Sequence, residues 1–222
     1  MATSGTAAAD KRRIILDAAM RVFARQGFHT CRVSDIADEA GVAYGLVYHY
    51  FSSKDQILDT LFLERWNVML AAIAEADRLQ QSPRDKLAAI AGFIIESYRH
   101  EPELMKVIVV EVTRAANTFG RTHLVKIREA YAQIAGIVER AQAEGIFRPE
   151  ITPEFGALAF YGSVEQVLTR WIFDRDAVDD DELDGAKRMI VETICRGLER
   201  DAEAAPLSVA SAASASDASL PD

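Results

Sequence analysis

Apolar residues recur at intervals of three and four along almost the whole chain, which predicts an all-α protein. The first such stripe predicts a helix from about Lys11 to Gln26, ended by Gly27. A second, short helix is expected over 33–40, and Gly41 suits its end because glycine adopts the left-handed conformation without a Cβ clash. After Gly41, only Val42 and Ala43 precede a third segment over 44–51.

Capping signals mark the starts of the later helices. An acid three residues after Ser52 opens a long helix, and Ser82-Pro83 and Thr152-Pro153 each place a proline directly after a cap. The β-branched run 107–110 could form a strand on propensity alone. We interpret it as a buried helix because no second strand is available to pair with it. Nine helices are predicted in total.

The chain divides into two unlike parts. Its 222 residues, half of them hydrophobic, exclude global disorder. The net charge is −9, yet residues 1–55 carry +1 and the remainder carries −10. We therefore predict two domains with different partners, namely a helix-turn-helix unit over 11–55 and a larger helical domain over 56–201. Residues 1–10 are expected to be a disordered arm, and the Ala/Ser-rich segment 202–222 a disordered tail.

The sequence lacks the features of several classes of protein. No apolar run approaches the length of a membrane span, and no apolar region follows Lys11-Arg12-Arg13 as in a secretory signal, so we expect a cytoplasmic protein without membrane partners. Cys31 and Cys195 form no closely spaced pair, which leaves a disulfide or zinc site without support. The chain also lacks phosphate-binding and dinucleotide motifs, paired Glu-x-x-His motifs and HExxH, so no catalytic residue, metal or cofactor is predicted.

The two short helices joined by a tight turn match the spacing of a helix-turn-helix, in which the second helix enters the major groove. Any three-helix subdomain with a tight turn would match as well, so spacing alone leaves both interpretations open. Residue content favours DNA: the third segment presents Tyr44, Gly45, His49 and Tyr50, a polar and aromatic set poorly suited to packing. Gly45 costs roughly 1 kcal/mol in a helix relative to alanine, which indicates a close approach to the backbone.

The strings Gly27-Phe28, 33–37, 40–42 and 44–54 together resemble the TetR family of bacterial transcriptional regulators. The resemblance covers about Arg13 to Leu61. It implies an all-helical, two-domain dimer with an N-terminal DNA-binding domain and a variable C-terminal domain that binds a ligand and dimerises. The implied partners are a near-palindromic double-stranded operator, a second copy of the chain and a small effector.

The same resemblance assigns DNA-facing residues by position. Lys54 corresponds to a phosphate-contacting lysine, while Val47, Tyr50 and Phe51 would seat the recognition helix. The family usually has threonine at the position of Arg32, which loses a cap and gains a possible phosphate contact. The pair Ala43-Tyr44 also departs from the usual Ser-Lys and leaves the operator sequence open. The full set of expected DNA contacts is Arg32, Ser34, Tyr44, Gly45, Leu46, Tyr48, His49 and Lys54.

The helix after Thr152 is apolar in nearly every direction, so it must be covered on most sides. One side can serve the core and the other a partner subunit, although packing within a monomer would explain the pattern as well. We predict a four-helix dimer seam formed with the last helix. The expected seam residues are Val164, Leu168, Trp171, Ala186, Ile190, Thr193 and Gly197.

Segments 111–114 and 161–171 are similar to the fatty-acid-responsive FadR branch of that family. This weaker resemblance implies a long-chain acyl-CoA in a tunnel of the C-terminal domain, controlling fatty-acid metabolism genes. A group of cations near the apolar helices could meet its phosphates: Arg99, Lys106, Arg114, Arg121, His123 and Lys126. The residues expected to contact the effector are Phe93, Tyr98, Val110, Arg114, Phe119, Tyr131 and Phe155.

We expect effector binding to shift the fourth helix, which links the two sites, and so to release the operator. Two alternatives stay open at this point. The chain could repress a drug-efflux operon in response to cationic or aromatic compounds, or it could be a helical architectural DNA-binding protein without an effector.

Overall fold

The computed structural model describes residues 3–111, 121–174 and 178–199, which form nine α-helices. A π-helical turn, Val107–Glu111, continues the sixth helix. The helices are α1 Thr3–Gln26, α2 Val33–Ala40, α3 Tyr44–Tyr50, α4 Lys54–Arg78, α5 Pro83–His100, α6 Pro102–Lys106, α7 Arg121–Ala143, α8 Pro153–Phe173 and α9 Asp180–Leu198. The all-α prediction is confirmed.

The start of α1 differs from the prediction. The helix begins at Thr3 rather than near Lys11, so the prediction of a disordered arm over 1–10 was wrong from Thr3 onward. Three consecutive alanines, Ala7 to Ala9, have high helix propensity and let the helix extend backwards from its amphipathic part. The segment 202–222, predicted to be a disordered tail, lies outside the described residues.

The N-terminal unit packs α1, α2 and α3 around one small core. Phe23 of α1, Ile36 of α2 and Val47 of α3 are almost fully buried in it. Gly41 ends α2 with a φ of 63°, as its position in the sequence predicts. The same core also contains Ile57 and Val107, which belong to α4 and to the π-helical turn. Packing therefore continues across residue 55, where the sequence suggests a domain boundary.

A second, larger core is built from the rest of α4 with α5, α7, α8 and α9. The predicted caps start these helices: Ser82 Oγ accepts from the Asp85 amide, and Thr152 Oγ1 accepts from the Phe155 amide. None of the helices in the described ranges is both long and apolar enough to span a membrane.

Most of the residues predicted to form the dimer seam lie inside this core instead. Val164, Leu168, Trp171, Ala186 and Ile190 are buried against their own chain, so assigning them to a dimer seam was wrong. Both helices are apolar on more than one side, and the side carrying these five residues faces inward. Only Thr193 and Gly197 of the predicted seam are exposed.

Large apolar side chains are nevertheless exposed on the opposite faces of α8 and α9. Phe155 and Phe173 on α8 are 61% and 62% exposed, and Met189 on α9 is 63% exposed. Leu158 shares the α8 face. Three glycines of these helices, at 162, 185 and 197, have open space where a Cβ would lie. These apolar and glycine positions define an uncovered outer face of α8 and α9.

Candidate DNA-binding surface and effector cavity

Helix α3 presents one polar and aromatic face to solvent. Tyr44, Gly45, Tyr48 and His49 are exposed, whereas Val47 is buried. Phe51, which ends the helix, is also buried, and Tyr50 and Leu46 are half-buried. Val47, Tyr50 and Phe51 were expected to seat the helix, and this division fits that role. Their side chains pack α3 against the N-terminal unit, whereas the exposed residues face solvent.

Tyr44 and Tyr48 form a pair on the exposed face. Their hydroxyl oxygens lie 3.2 Å apart, and their rings meet edge to face with centroids separated by 5.2 Å. The hydrogen bond with Tyr44 raises the pKa of Tyr48, so the Tyr48 phenol is neutral near pH 7. A neutral hydroxyl at this position can contact phosphate oxygens or base edges without electrostatic repulsion from DNA.

Gly45 lies next to this pair with no atom within 4 Å of the place where a Cβ would stand. Its φ is not positive, so neither backbone conformation nor crowding inside the protein requires glycine here. The open space outside the helix is where a DNA backbone would have to approach.

Arg32 and Ser34 lie at the start of α2. Arg32 precedes the helix, and its amide donates to Asp35 Oδ2 at 2.8 Å, while its side chain is exposed and makes no capping hydrogen bond. Ser34 is half-buried. The Arg32 guanidinium is therefore exposed at the start of α2.

Lys54 is engaged in a different way from that implied by the family resemblance. Its ammonium donates to the carbonyl oxygens of Phe28, His29 and Cys31 at 2.7, 3.3 and 3.0 Å, and lies 4.7 Å from the Phe28 ring centroid. An ammonium has three N–H groups, and three acceptors surround this one. Lys54 thus ties the start of α4 to the α1–α2 loop, and a phosphate would have to replace one of these carbonyls.

Two further cations near the unit are paired with acids. Arg12 Nη1 lies 2.9 Å from Glu64 Oε1, and Arg13 pairs with Asp17 at 2.9 Å and with Glu64 at 4.0 Å. The Arg12 guanidinium also lies 5.5 Å from the Phe51 ring centroid. Binding to phosphate would compete with Glu64 for both arginines.

The C-terminal domain contains a small, partly open cavity of about 20 Å³. Helices α4, α5, α6 and α8, together with the π-helical turn, contribute its walls. Most of the lining is apolar, and three polar side chains interrupt it. Representative lining residues are Arg65, Trp66, Met105, Ile108, Tyr161 and Glu165.

Among the described residues, none of the effector residues predicted from the sequence lines this cavity. Phe93 lies under the Arg65 guanidinium at 5.0 Å, and the Tyr131 ring meets Tyr161 edge to face. Tyr98 instead packs on Trp171. Phe155 is exposed, so its assignment to the cavity was wrong: it occupies the outward side of α8. Val110 is buried but is not part of the lining, and Arg114 and Phe119 lie outside the described residues.

The cations expected to meet an effector's phosphates have other partners in the structure. Arg99 pairs with Asp180 and Asp184 of α9, and Lys126 pairs with Glu129 on its own helix. Lys106 donates to the carbonyl oxygen of Ala24, and His123 contacts Asp59 at 3.1 Å. The side chains of Arg114 and Arg121 lie outside the described part of the chain.

Arg65 is the charged residue that the sequence analysis missed. It occupies a position on the apolar stripe of α4 between Leu61 and Met69, and a charge on such a stripe is the signal that could have found it. Its side chain is buried, and burial lowers the pKa of the guanidinium. Glu165 of α8 lines the same cavity, and burial raises the pKa of its carboxyl group.

A groove separates the two units on the other side of Arg65. It lies between α1, α4 and the α5–α6 junction and is lined by both Arg65 and Glu64. Beyond it, α6 touches the N-terminal unit directly: Lys106 Nζ donates to Ala24 O at 2.7 Å, and Val107 is fully buried in the N-terminal core. The walls of the cavity therefore reach the N-terminal unit through both α4 and α6.

Two protein families match the chain. Residues 15–61 match the bacterial regulatory proteins of the tetR family, and residues 83–194 match the tetracyclin repressor-like C-terminal domain. The two matched segments coincide with the N-terminal unit and with the domain that holds the cavity.

Individual relatives agree with this match. The chain is 28% identical to the fatty acid metabolism regulator protein of Bacillus subtilis over 74% of its own length and 85% of that protein. It superposes with a TM-score of 0.71 on the Bacillus subtilis regulator FadR in complex with stearoyl-CoA, at 24% identity, covering 84% of this chain and 99% of that one. The ketosteroid transcriptional regulator KstR2 of Mycobacterium tuberculosis superposes with a TM-score of 0.71 as well, at 20% identity. The match covers 86% of this chain and 95% of that one. At these identities the two structures establish a shared fold.

Proposed function

This chain belongs to the TetR family of bacterial regulatory proteins, which are DNA-binding transcriptional regulators and not enzymes, and we propose that it is a repressor released by a hydrophobic acyl effector. The observation that carries the proposal is the small, mostly apolar cavity whose walls include α4 and α6, the helices that touch the DNA-binding unit. A long-chain acyl-CoA is the effector we propose, since a relative of the same fold has been solved with stearoyl-CoA. The regulated genes would then serve fatty-acid metabolism in the cytoplasm.

On the DNA side, we assign the recognition surface to the exposed face of α3. Tyr44, Tyr48 and His49 would contact base edges and phosphates, with the backbone at Gly45 approaching DNA closely. Arg32 and Ser34 at the start of α2 would hold the neighbouring phosphates. Two copies of this surface, one per subunit, would read half-sites about one DNA turn apart, which makes the operator a near-palindrome.

Members of this family dimerise, and the outer face of α8 and α9 is where we place the partner subunit. Phe155, Leu158, Phe173 and Met189 expose large apolar side chains on these two helices, which water would otherwise cover. The glycines at 162, 185 and 197 would let two helix pairs approach closely. This face replaces the buried residues that the sequence pattern suggested.

Release would follow from expansion of the cavity. Protein interiors are close-packed, so an acyl chain larger than the cavity must push its walls apart. Movement of α4 would shift Lys54 and the loop that it holds, and movement of α6 would pull on α1 through Lys106 and Val107. Either displacement would change the spacing of the two recognition helices relative to one turn of DNA.

The direct test is an operator titration. An operator would first be selected from random duplex DNA with the full-length dimer, and binding would then be followed by fluorescence anisotropy as stearoyl-CoA is added. We expect the operator dissociation constant to rise at least fivefold, in line with typical allosteric coupling. Operator binding that stoichiometric stearoyl-CoA leaves unchanged would overturn the acyl-CoA proposal. The repressor assignment would fail only if no duplex were selected.

A further inference from the structure

Two donor groups in the cavity wall have no acceptor among the described residues. Nη2 of Arg65 and Nε1 of Trp66 are both buried, and neither has a hydrogen-bond partner. Arg65 as a whole is 9% exposed and Trp66 is 6% exposed. Buried polar groups in native proteins almost always have partners, so two consecutive residues without one need an explanation.

The Arg65 charge is also unpaired within the described part of the chain. No carboxylate lies within ion-pair distance of its guanidinium, which instead stacks over the Phe93 ring. Glu101 favours the charge only at longer range. Burying a cation without a partner is much more costly than leaving it in water. Stacking on Phe93 thus leaves Nη2 of Arg65 without a hydrogen-bond acceptor.

Both donors belong to residues that line the cavity, where most of the other contacts are apolar. Indole nitrogen and guanidinium can only donate hydrogen bonds. What they lack is therefore an acceptor, and a ligand that fills the rest of the space must be apolar. The complementary molecule is a hydrocarbon chain that ends in an oxygen acceptor.

We infer that Arg65 and Trp66 form the polar end of the effector site and bind the carbonyl or carboxylate oxygen of an acyl chain. This inference rests on the proposed function, because it assumes that the effector enters this cavity. To that function it adds the chemical group of the effector that is recognised, an acyl oxygen, and the two residues that bind it. A thioester carbonyl and a free carboxylate share this chemistry and are separated by the experiment.

The same geometry argues against a cationic effector. A positively charged drug would face the charge of Arg65 in an environment that screens charges poorly. Glu165 is the one carboxyl group that the described residues contribute to the lining, and burial raises its pKa, which favours its neutral form. Such a drug would also leave both donors without an acceptor. The efflux-type alternative therefore fits this cavity less well than an acyl compound does.

Arg65 is placed where ligand contact can reach the DNA-binding unit. It lines both the cavity and the groove between the units, and its neighbour Glu64 pairs with Arg12 of α1. An oxygen acceptor that draws the Arg65 side chain toward the cavity would act on α4 beside the α1 contact. The polar end of the effector would thus lie nearer to the DNA-binding unit than most of its chain.

The test compares three ligands on four full-length proteins. The ligands are stearoyl-CoA, stearate and S-octadecyl-CoA, a thioether that lacks the carbonyl oxygen. The proteins are wild type, Arg65→Met, Trp66→Phe and the control Arg78→Met, whose arginine pairs with Glu75 at the exposed far end of α4. Binding is measured by calorimetry, and operator binding without a ligand shows that each variant is folded.

Wild type and Arg78→Met should bind their preferred acyl ligand about tenfold to hundredfold more tightly than the thioether, as expected for a charge-assisted hydrogen bond. Arg65→Met should lose this preference, and Trp66→Phe should lose part of it. Preference for stearoyl-CoA identifies the thioester carbonyl as the acceptor, and preference for stearate identifies the carboxylate.

Two results would overturn the inference. If Arg65→Met and Trp66→Phe both keep the wild-type ratio of acyl ligand to thioether, the acceptor lies elsewhere while the proposed effector class stands. If none of the three ligands binds to wild type, the acyl effector and this site fail together.

Discussion

Lys106 and Ala24 are 82 residues apart in the chain, yet the ammonium of Lys106 donates a 2.7 Å hydrogen bond to the carbonyl oxygen of Ala24. Ala24 belongs to the last turn of α1, where carbonyl groups lack partners within the helix. A lysine from α6 thus caps a helix of the DNA-binding unit. The adjacent Val107 is buried in that unit, which makes α6 a second link between the cavity and the DNA-binding unit beside α4.

Replacing Lys106 by methionine should weaken this link. The variant loses one charge-assisted hydrogen bond but keeps the aliphatic packing of the side chain. We expect the ratio of operator dissociation constants with and without saturating effector to fall about threefold to tenfold. Lys126→Met is the matched control because the ion pair of Lys126 stays within α7. Equal ratios in wild type and Lys106→Met would show that α4 alone transmits the signal.

Gly45→Ala should separate stability from DNA binding. Alanine is favoured over glycine in a helix, and the position has neither a positive φ nor neighbours within 4 Å, so the free protein should gain roughly 1 kcal/mol. Operator affinity should fall about tenfold because a methyl group blocks the approach of DNA, a loss comparable to that of one base contact. Thermal unfolding and anisotropy measure the two effects. Unchanged operator affinity would remove Gly45 from the interface.

Glu64→Gln should strengthen DNA binding. The acid holds Arg12 and lies near Arg13 in the free protein, so its removal frees a cation in each subunit. With one additional phosphate contact per subunit, the slope of log K against log salt should steepen by about 2 for the dimer. Glu75→Gln on the same helix is the control, since Glu75 pairs only with Arg78 among the described residues. A slope equal to that of wild type would mean that Arg12 does not reach DNA.

Arg65→Met should stabilise the effector-free protein. Replacing a buried, unpaired guanidinium by an apolar chain of similar length removes its desolvation cost. We expect a gain of about 1 to 3 kcal/mol in the free energy of unfolding, by analogy with buried ion pairs replaced by hydrophobic residues. Each kcal/mol gained in the free energy of unfolding should raise the melting temperature by about 2 to 4 °C. A lower melting temperature would assign Arg65 to structural support instead of effector binding.

The free energy of unfolding should depend on pH through His123 of α7, which contacts Asp59 of α4. Burial lowers the pKa of His123, and the charge of Asp59 opposes this only in part, so the folded state favours neutral imidazole. The stabilisation is then present above about pH 6.5 and is lost as the pH falls through the lowered pKa. Burial raises the pKa of Asp59, which acts in the opposite direction at lower pH.

Urea unfolding at pH 7.5 and pH 5.5 tests this dependence. Wild type should lose more stability at pH 5.5 than His123→Gln, which cannot be protonated. His29→Asn controls for an exposed histidine on the α1–α2 loop. The same loss in wild type and His123→Gln would mean that other groups set the pH dependence.

The helices and the division of α3 into a buried and an exposed face were predictable because their determinants are local. Gly41 ends α2, Ser82 and Thr152 cap α5 and α8, and the spacing of Val47 from Tyr44 and Tyr48 separates the buried side of α3 from the exposed one. Each signal acts within four residues along the chain, and helical periodicity converts that spacing directly into geometry.

The tertiary structure decided what depends on distant segments. Helix α8 is apolar on several sides, so its sequence does not specify that Val164 faces the core while Phe155 stays exposed. Arg65 lacks an acceptor, and Lys54 and Lys106 have carbonyl partners, only because helices far apart in the chain meet at those points. Periodicity fixes which residues share a face, whereas the packing of all nine described helices determines what each face meets.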